Sequence, residues 1–97
     1  MRINLKFYGV FKTAAGSDAI SLDVPLKEPT VRSALTQFLS DPNRSQLRQL
    51  IMEGESPDPR STTLILVSGR EIAALAGLDT KLTEEDELSL LPIAHGG

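Results

Sequence analysis

The residues with the clearest chemistry stand at the C-terminus, in "IAHGG". The α-carboxylate of Gly97 has an ordinary pKa of about 3.3–3.7, so it is ionised and a poor electrophile at neutral pH. Only an activated acyl derivative of it would be open to attack by a nucleophile. That chemistry requires the tail to thread a narrow slot in a second protein. Gly96 and Gly97 have no Cβ, so they fit a slot that any side chain would obstruct, and they accept backbone angles closed to other residues. Pro92 ends the last expected strand. The ~5 residues after it reach roughly 17 Å when extended. The plain alternative is a frayed terminus with no role.

His95 is the single histidine. With no fixed partner it is poor equipment for a catalytic base, and its simpler role is to be read on the tail, beside Ile93 and Gly96, by whatever binds there. Elsewhere the chain shows no nucleophile–base pair, no carboxylate dyad, no metal-ligand spacing and no phosphate loop. There are no cysteines, which excludes a disulfide framework, a Cys-ligated zinc site and a Cys nucleophile. The chain does not read as an independent enzyme, and no metal is expected.

Composition narrows the partners. A chain of 97 residues suits one domain. Thirteen acidic and 10 basic residues leave a formal charge of −3. The nearest approach to a basic cluster, Arg44, Arg48 and Arg60, is interrupted by acidic residues, so nucleic acid is not an expected partner. No apolar run approaches the ~20 residues that span a bilayer. The opening "MRINLKFYG" alternates polar and apolar residues, unlike a signal peptide. A soluble, cytoplasmic, monomeric protein is the expectation.

The elements that must hold the tail follow from hydrophobic spacing. Residues 2–8 alternate, with Ile3, Leu5 and Phe7 on one face. Residues 19–24 alternate again through Ile20, Leu22 and Val24, and "TAAGSD" between them reads as the connection of an antiparallel hairpin. Thr30 can cap a helix whose apolar positions are Val31, Leu35, Phe38 and Leu39. Asp41 and Pro42 end it. A second short helix is expected over 45–52, with Leu47, Leu50 and Ile51 on one side. "EGESPDPRS" reads as a flexible polar loop.

Residues 62–67 form a strong strand, Gly69 a turn that needs a positive φ, and 71–82 an irregular stretch. "TEEDE" makes an acidic turn before a final strand over 88–92. The helix can bury its apolar stripe only against a sheet. Both terminal strands are strongly apolar, so both should be central, adjacent and parallel. Those features describe an α+β β-grasp fold: a four- to five-stranded mixed sheet, one main helix across one face, a domain over 1–92 and a flexible tail over 93–97.

The last third carries a resemblance. "LILVSGREI", "GLDTKL", "DELSLLP" and "HGG" occur in that order at close spacing. This resembles the MoaD/ThiS group of ubiquitin-like sulfur carriers, and also the ubiquitin-related modifiers and archaeal small modifiers that tag other proteins. The likeness is strongest over 64–97. Two departures stand out. The turn before the last strand has Glu84, Glu85 and Asp86 where many members have Asp-Gly-Asp. Either the turn is of another type, or Glu85 takes a conformation easier for glycine. And Leu91-Pro92-Ile93 replaces the aromatic and paired prolines usual in small subunits of molybdopterin synthase.

The resemblance implies a function for the tail. An E1-like, ThiF-type enzyme would adenylate Gly97 with ATP and magnesium, which that enzyme binds and this chain does not. The adenylate would become a thiocarboxylate that feeds a sulfur acceptor in molybdopterin synthesis or tRNA thiolation, or would join a target lysine through an isopeptide bond. Alternatives are the small subunit of a molybdopterin synthase beside a large catalytic subunit, and a non-covalent β-grasp interaction module. Lys6, Lys12, Lys27 and Lys81 are the possible attachment points on this chain.

A partner surface is expected on the outer face of the sheet. If Ile65 and Val67 point inward, Leu64 and Leu66 point out. If Leu88 and Leu90 point inward, Leu91 and Ile93 point out beside the tail. Exposed apolar patches mark interfaces, unless residues 53–61 or 71–82 cover this one. Arg70 would add a charge to that surface, and the run Glu84–Glu87 would offer a handle to a basic enzyme or simply form a wet turn.

Overall fold

The computed structural model describes residues 1–25, 27–52 and 58–93. Arg2–Phe7 forms the first strand, β1, with Ile3, Leu5 and Phe7 almost fully buried. The chain does not then form a hairpin loop. Gly9–Ala15 is a helix, α1, which corrects the loop expected there. Gly9 turns the chain out of the strand at φ +55°. Phe11 is buried, and Ala14 and Ala15 pack against the core. Gly16 ends the helix at φ +73° and donates its N–H to the carbonyls of Lys12 and Thr13, a left-handed cap that glycine adopts without a Cβ penalty. The expected antiparallel pairing survives: β2, Ala19–Asp23, pairs with β1 in the register Ile3↔Leu22 and Leu5↔Ile20.

The main helix, α2, spans Val31–Leu39 and buries Val31, Ala34, Leu35, Phe38 and Leu39. Its start is fixed from both sides. Thr30 Oγ1 accepts from the Ser33 N–H at 3.1 Å, and Ser33 Oγ accepts from the Thr30 N–H at 2.8 Å, a reciprocal capping box. Phe38 stacks on Phe7 of β1 with ring centroids 5.5 Å apart, which pins the helix across the sheet. Asp41 then caps a 3-10 turn, Pro42–Arg44, and α3, Ser45–Ile51, buries Leu47 and Ile51.

Three further strands complete the sheet: β3, Thr63–Val67; β4, Arg70–Glu71; and β5, Glu87–Pro92. The order is β2-β1-β5-β3-β4. Strands β1 and β5 are central neighbours and parallel, in the register Leu5↔Leu88 and Phe7↔Leu90. Residues 71–82 form two 3-10 turns, Ile72–Ala74 and Gly77–Asp79. Ile72, Leu78 and Leu82 are buried there, and the Leu82 N–H donates to the Pro29 carbonyl at 2.8 Å, so the segment is laced to the start of α2. Within the loop expected over 53–61, Pro59–Ser61 is a 3-10 turn; residues 53–57 lie outside the described residues. Among the described residues, no helix is long and apolar enough to cross a membrane.

Two turns at the far end of β5 from the tail settle questions left open by the sequence. Ser68 and Gly69 have φ of +48° and +86°, and Val67 pairs with Arg70 across them. Positive φ at both central residues is the two-residue hairpin geometry whose twist matches the flanking strands. Glu85 has φ +74°. The acidic turn therefore seats a glutamate in a left-handed conformation that glycine takes more easily. Asp86 holds that turn: its carboxylate accepts from the Thr83 N–H at 2.7 Å, the Thr83 hydroxyl at 2.9 Å and the Ser68 hydroxyl at 2.9 Å.

Candidate functional site

The site is organised by alternation in two neighbouring strands. In β5, Leu88 and Leu90 point into the core with no exposed surface, which turns Ser89 and Leu91 to the outer face. In β3, Thr63, Ile65 and Val67 are buried while Leu64 and Leu66 are half-buried. Leu64 sits directly opposite Leu91, and Leu66 opposite Ser89. Cross-strand neighbours of this kind lie about 5 Å apart, so Leu64, Leu66 and Leu91 form one half-buried apolar strip. They are neither covered completely nor open.

Arg70 does not join that strip. It pairs with Val67, whose side chain faces inward, so Arg70 has the opposite parity and stands at the hairpin end of β3. The tail leaves from the other end, where Thr63 pairs with Pro92. Glu71, opposite Leu66, has the outward parity instead. Nor is the acidic run a uniform handle. Partial burial raises the Asp86 pKa, but the Thr83 N–H and the Ser68 and Thr83 hydroxyls outweigh it and hold the carboxyl below its ordinary value. Asp86 is thus engaged inside the turn, while Glu84, Glu85 and Glu87 are exposed.

At the exit, the Ile93 N–H donates to the Thr62 carbonyl at 2.9 Å, and the Ile93 side chain is exposed. Pro92 packs against Gly9, where a Cβ would stand 3.0 Å from Pro92 Cγ. The tail residues Ala94, His95, Gly96 and Gly97 lie outside the described residues, so the roles expected for His95, Gly96 and Gly97 rest on sequence. Two neighbours of the exit were missed by sequence reasoning. Tyr8 closes β1 and donates its N–H to the Leu90 carbonyl at 3.3 Å; Val10 lies in α1, which was read as a loop. The available signal was an aromatic and a β-branched residue on either side of a glycine.

Lys6 shares the outer face, opposite Ser89. Its ammonium lies 5.4 Å from the Tyr8 ring centroid. A hydrogen bond with Tyr8 raises its pKa, with a smaller contribution from the Glu87 carboxylate. Lys12, Lys27 and Lys81 are exposed. Among the described residues, no group of His, Cys, Asp or Glu side chains could hold a metal ion.

A mixed sheet with parallel central terminal strands, crossed by α2 and ending at Pro92, defines a ubiquitin-like β-grasp protein. No protein-family model matches the chain, and no curated sequence does. Solved structures do. Small archaeal modifier protein 1 from Methanosarcina acetivorans matches at 25% identity over 99% of this chain and 96% of its own, with a TM-score of 0.80. A putative molybdopterin converting factor, subunit 1, from Pyrococcus furiosus matches at 21% identity over 97% and 99%, with a TM-score of 0.73. A chain of the BexX/CysO complex from Amycolatopsis orientalis matches at 16% identity over 98% and 99%, with a TM-score of 0.72. The neighbours in structure thus fall in the group of modifiers and converting-factor subunits that residues 64–97 resemble, and they are small carrier-type proteins.

Proposed function

We propose that this chain is a sulfur carrier or protein modifier that reacts through the α-carboxylate of Gly97. The observation that carries this is the course of β5: a buried central strand that ends at Pro92, with "IAHGG" following directly and an apolar strip beside the exit. A rigid sheet then presents a short tail at a fixed place, as threading an enzyme's slot requires.

The chemistry runs in two steps. A Gly97 carboxylate oxygen attacks the α-phosphorus of ATP in an E1-like enzyme, and pyrophosphate leaves with magnesium. The acyl adenylate carbon is then attacked by hydrosulfide or by a lysine amine, either of which gives up a proton, and AMP leaves. The product is a thiocarboxylate or an isopeptide. In this chain's part of the reaction, Ile93, His95 and Gly96 are read by the enzyme, and Leu64, Leu66 and Leu91 dock on it. Arg70, at the opposite end of β3, serves a different contact if it serves one. The chain works in the cytoplasm, as a monomer between encounters.

A second reading, the small subunit of a synthase, is favoured by two likenesses: to a putative molybdopterin converting factor subunit, and to a chain of the BexX/CysO complex. It uses the same tail, held in a stable complex.

The test is the intact mass after incubation with ATP, magnesium, the activating enzyme and sulfide. The expected product is the protein with one oxygen replaced by sulfur, absent when one residue is added after Gly97. An enzyme shown to be active that leaves the native chain unchanged in mass refutes the proposal, as does reaction of the extended chain without removal of the added residue.

A further inference from the structure

A cleft of about 430 Å³ opens on the helix side of the sheet. Two helices and two 3-10 turns converge on it. Leu35 and Leu39 stand one turn apart on α2, and Met52 directly follows α3. Pro59 begins one 3-10 turn and Leu78 lies in the other. Leu35, Leu39 and Leu78 are at most 6% exposed, so the apolar floor is recessed and is not a surface patch.

The rim is polar and positive. Thr36 and Ser40 bring hydroxyls from α2, and Arg32 and Arg48 bring guanidinium groups. The two arginines differ. Arg32 is matched by a carboxylate, because its Nε donates to Asp79 Oδ1 at 3.3 Å. Arg48 Nη1 donates instead to the Leu39 carbonyl at 3.0 Å, one of the last carbonyls of α2, which have no partner within the helix. That bond holds the guanidinium beside the apolar floor and spends one of its several N–H donors. Among the described residues, no carboxylate pairs with Arg48.

Size and chemistry together restrict the occupant. Small-molecule sites enclose about 300–1,000 Å³ and combine an apolar lining with a few placed polar groups. A protein interior leaves few gaps larger than a water molecule, and capping of α2 by Arg48 needs no cleft beside it. A planar guanidinium with N–H donors to spare matches a carboxylate in charge and in shape.

We infer that this cleft binds a small amphiphilic carboxylate, with its apolar body on Leu35, Leu39 and Leu78 and its charged head on Arg48. The site belongs to the helix side of the sheet, whereas Leu64, Leu66 and Leu91 lie on the outer face. Occupancy therefore leaves the leucine strip open. The inference stands independently of any reaction at Gly97.

The experiment is a titration of the full chain, carrying ¹³C in its leucine and methionine methyl groups, with decanoate. The methyl shifts of Leu35, Leu39, Met52 and Leu78 should move together and saturate, with a Kd of about 1 mM or below. Decyltrimethylammonium, an equal body with the opposite charge, should bind at least about ten-fold more weakly. Acetate, the head alone, should leave these methyls unmoved. Arg48→Gln should weaken decanoate about ten-fold and leave the cation within about two-fold. Thr36→Trp, at an exposed position on the rim, should fill the cleft and abolish saturation by decanoate. Arg2→Gln, which removes an exposed charge from β1, should match the native chain. Thermal unfolding verifies that each variant is folded. The site is overturned if the cleft methyls show no saturable change, if the cation binds as tightly as decanoate, or if folded Thr36→Trp binds as the native chain does. Equal loss of both ligands in Arg48→Gln also overturns it, since that result marks Arg48 as a cap of α2 and nothing more.

Discussion

Gly9 and Pro92 approach so closely that a Cβ on Gly9 would lie 3.0 Å from Pro92 Cγ, at a backbone φ of +55°. Two demands meet at one residue: a left-handed conformation and room for the ring that ends β5. Gly16, also left-handed at φ +73°, has nothing within 4 Å of its Cβ position. Gly9→Ala should therefore cost about 2 kcal/mol and Gly16→Ala about 1 kcal/mol. Urea unfolding of the two variants measures the difference. Equal losses would mean that Pro92 moves aside freely.

Glu85 carries the opposite lesson. Its φ of +74° is strained for a residue with a Cβ. Glu85→Gly relieves that strain while adding backbone freedom to the unfolded chain, and the strain is the larger effect. Stability should rise by up to about 1 kcal/mol, seen as a higher urea midpoint at constant m-value. A lower midpoint would show that the glutamate side chain contributes more than its backbone costs.

Acid should loosen the turns that Asp86 and Asp58 hold. The folded pKa of Asp86 lies below its ordinary value: partial burial raises it, and bonds from Thr83 and Ser68 overcome that effect. A depressed folded pKa gives stability that is present above the unfolded value near 3.9 and disappears as pH falls through the folded value. Asp58, held at about 2 by its side-chain and backbone hydrogen bonds with Arg60, keeps its contribution until the pH nears 2. Asp86→Asn should cost about 1 kcal/mol at pH 6. The gap between native and variant should close below pH 4, as read by urea unfolding from pH 6 to pH 2. A gap that persists at pH 2 would show that the charge of Asp86 does not matter.

Thr30 begins α2 and accepts from the Ser33 N–H at 3.1 Å. Thr30→Ala removes that acceptor and should cost about 1 kcal/mol, whereas Thr30→Ser should cost little. Thermal unfolding separates the two. If serine fails as badly as alanine, packing of the threonine methyl, and not the cap, holds the helix start.

Much of this molecule was legible as spacing. Period-two alternation located β1, β2, β3 and β5, including the inward set Ile65, Val67, Leu88 and Leu90, and Thr30 with its helical stripe located α2. The apolar character of both terminal strands was enough to place them side by side and parallel. Helix α1 was not legible. Its seven residues include one large buried side chain, Phe11, and a helix so short is stabilised by what it packs on more than by its own propensity. The candidate site divides the same way. Leu64, Leu66 and Leu91 followed from alternation, because a strand with one face in the core must turn the other face out.

The sequence by itself determined which residues face inward along each strand, where α2 begins, and that a glycine pair follows the last strand. These are properties of neighbours in the chain, set by backbone period and side-chain chemistry. Only the tertiary structure decided that Arg70 stands apart from the leucine strip, that Glu85 bears a left-handed conformation, and that Tyr8, Val10 and Ile93 share the tail exit. Each of those depends on which strands are paired and in what register. Residues from opposite ends of the chain meet there because β1 and β5 are hydrogen-bonded neighbours, and no local pattern records which side chains that pairing leaves exposed together.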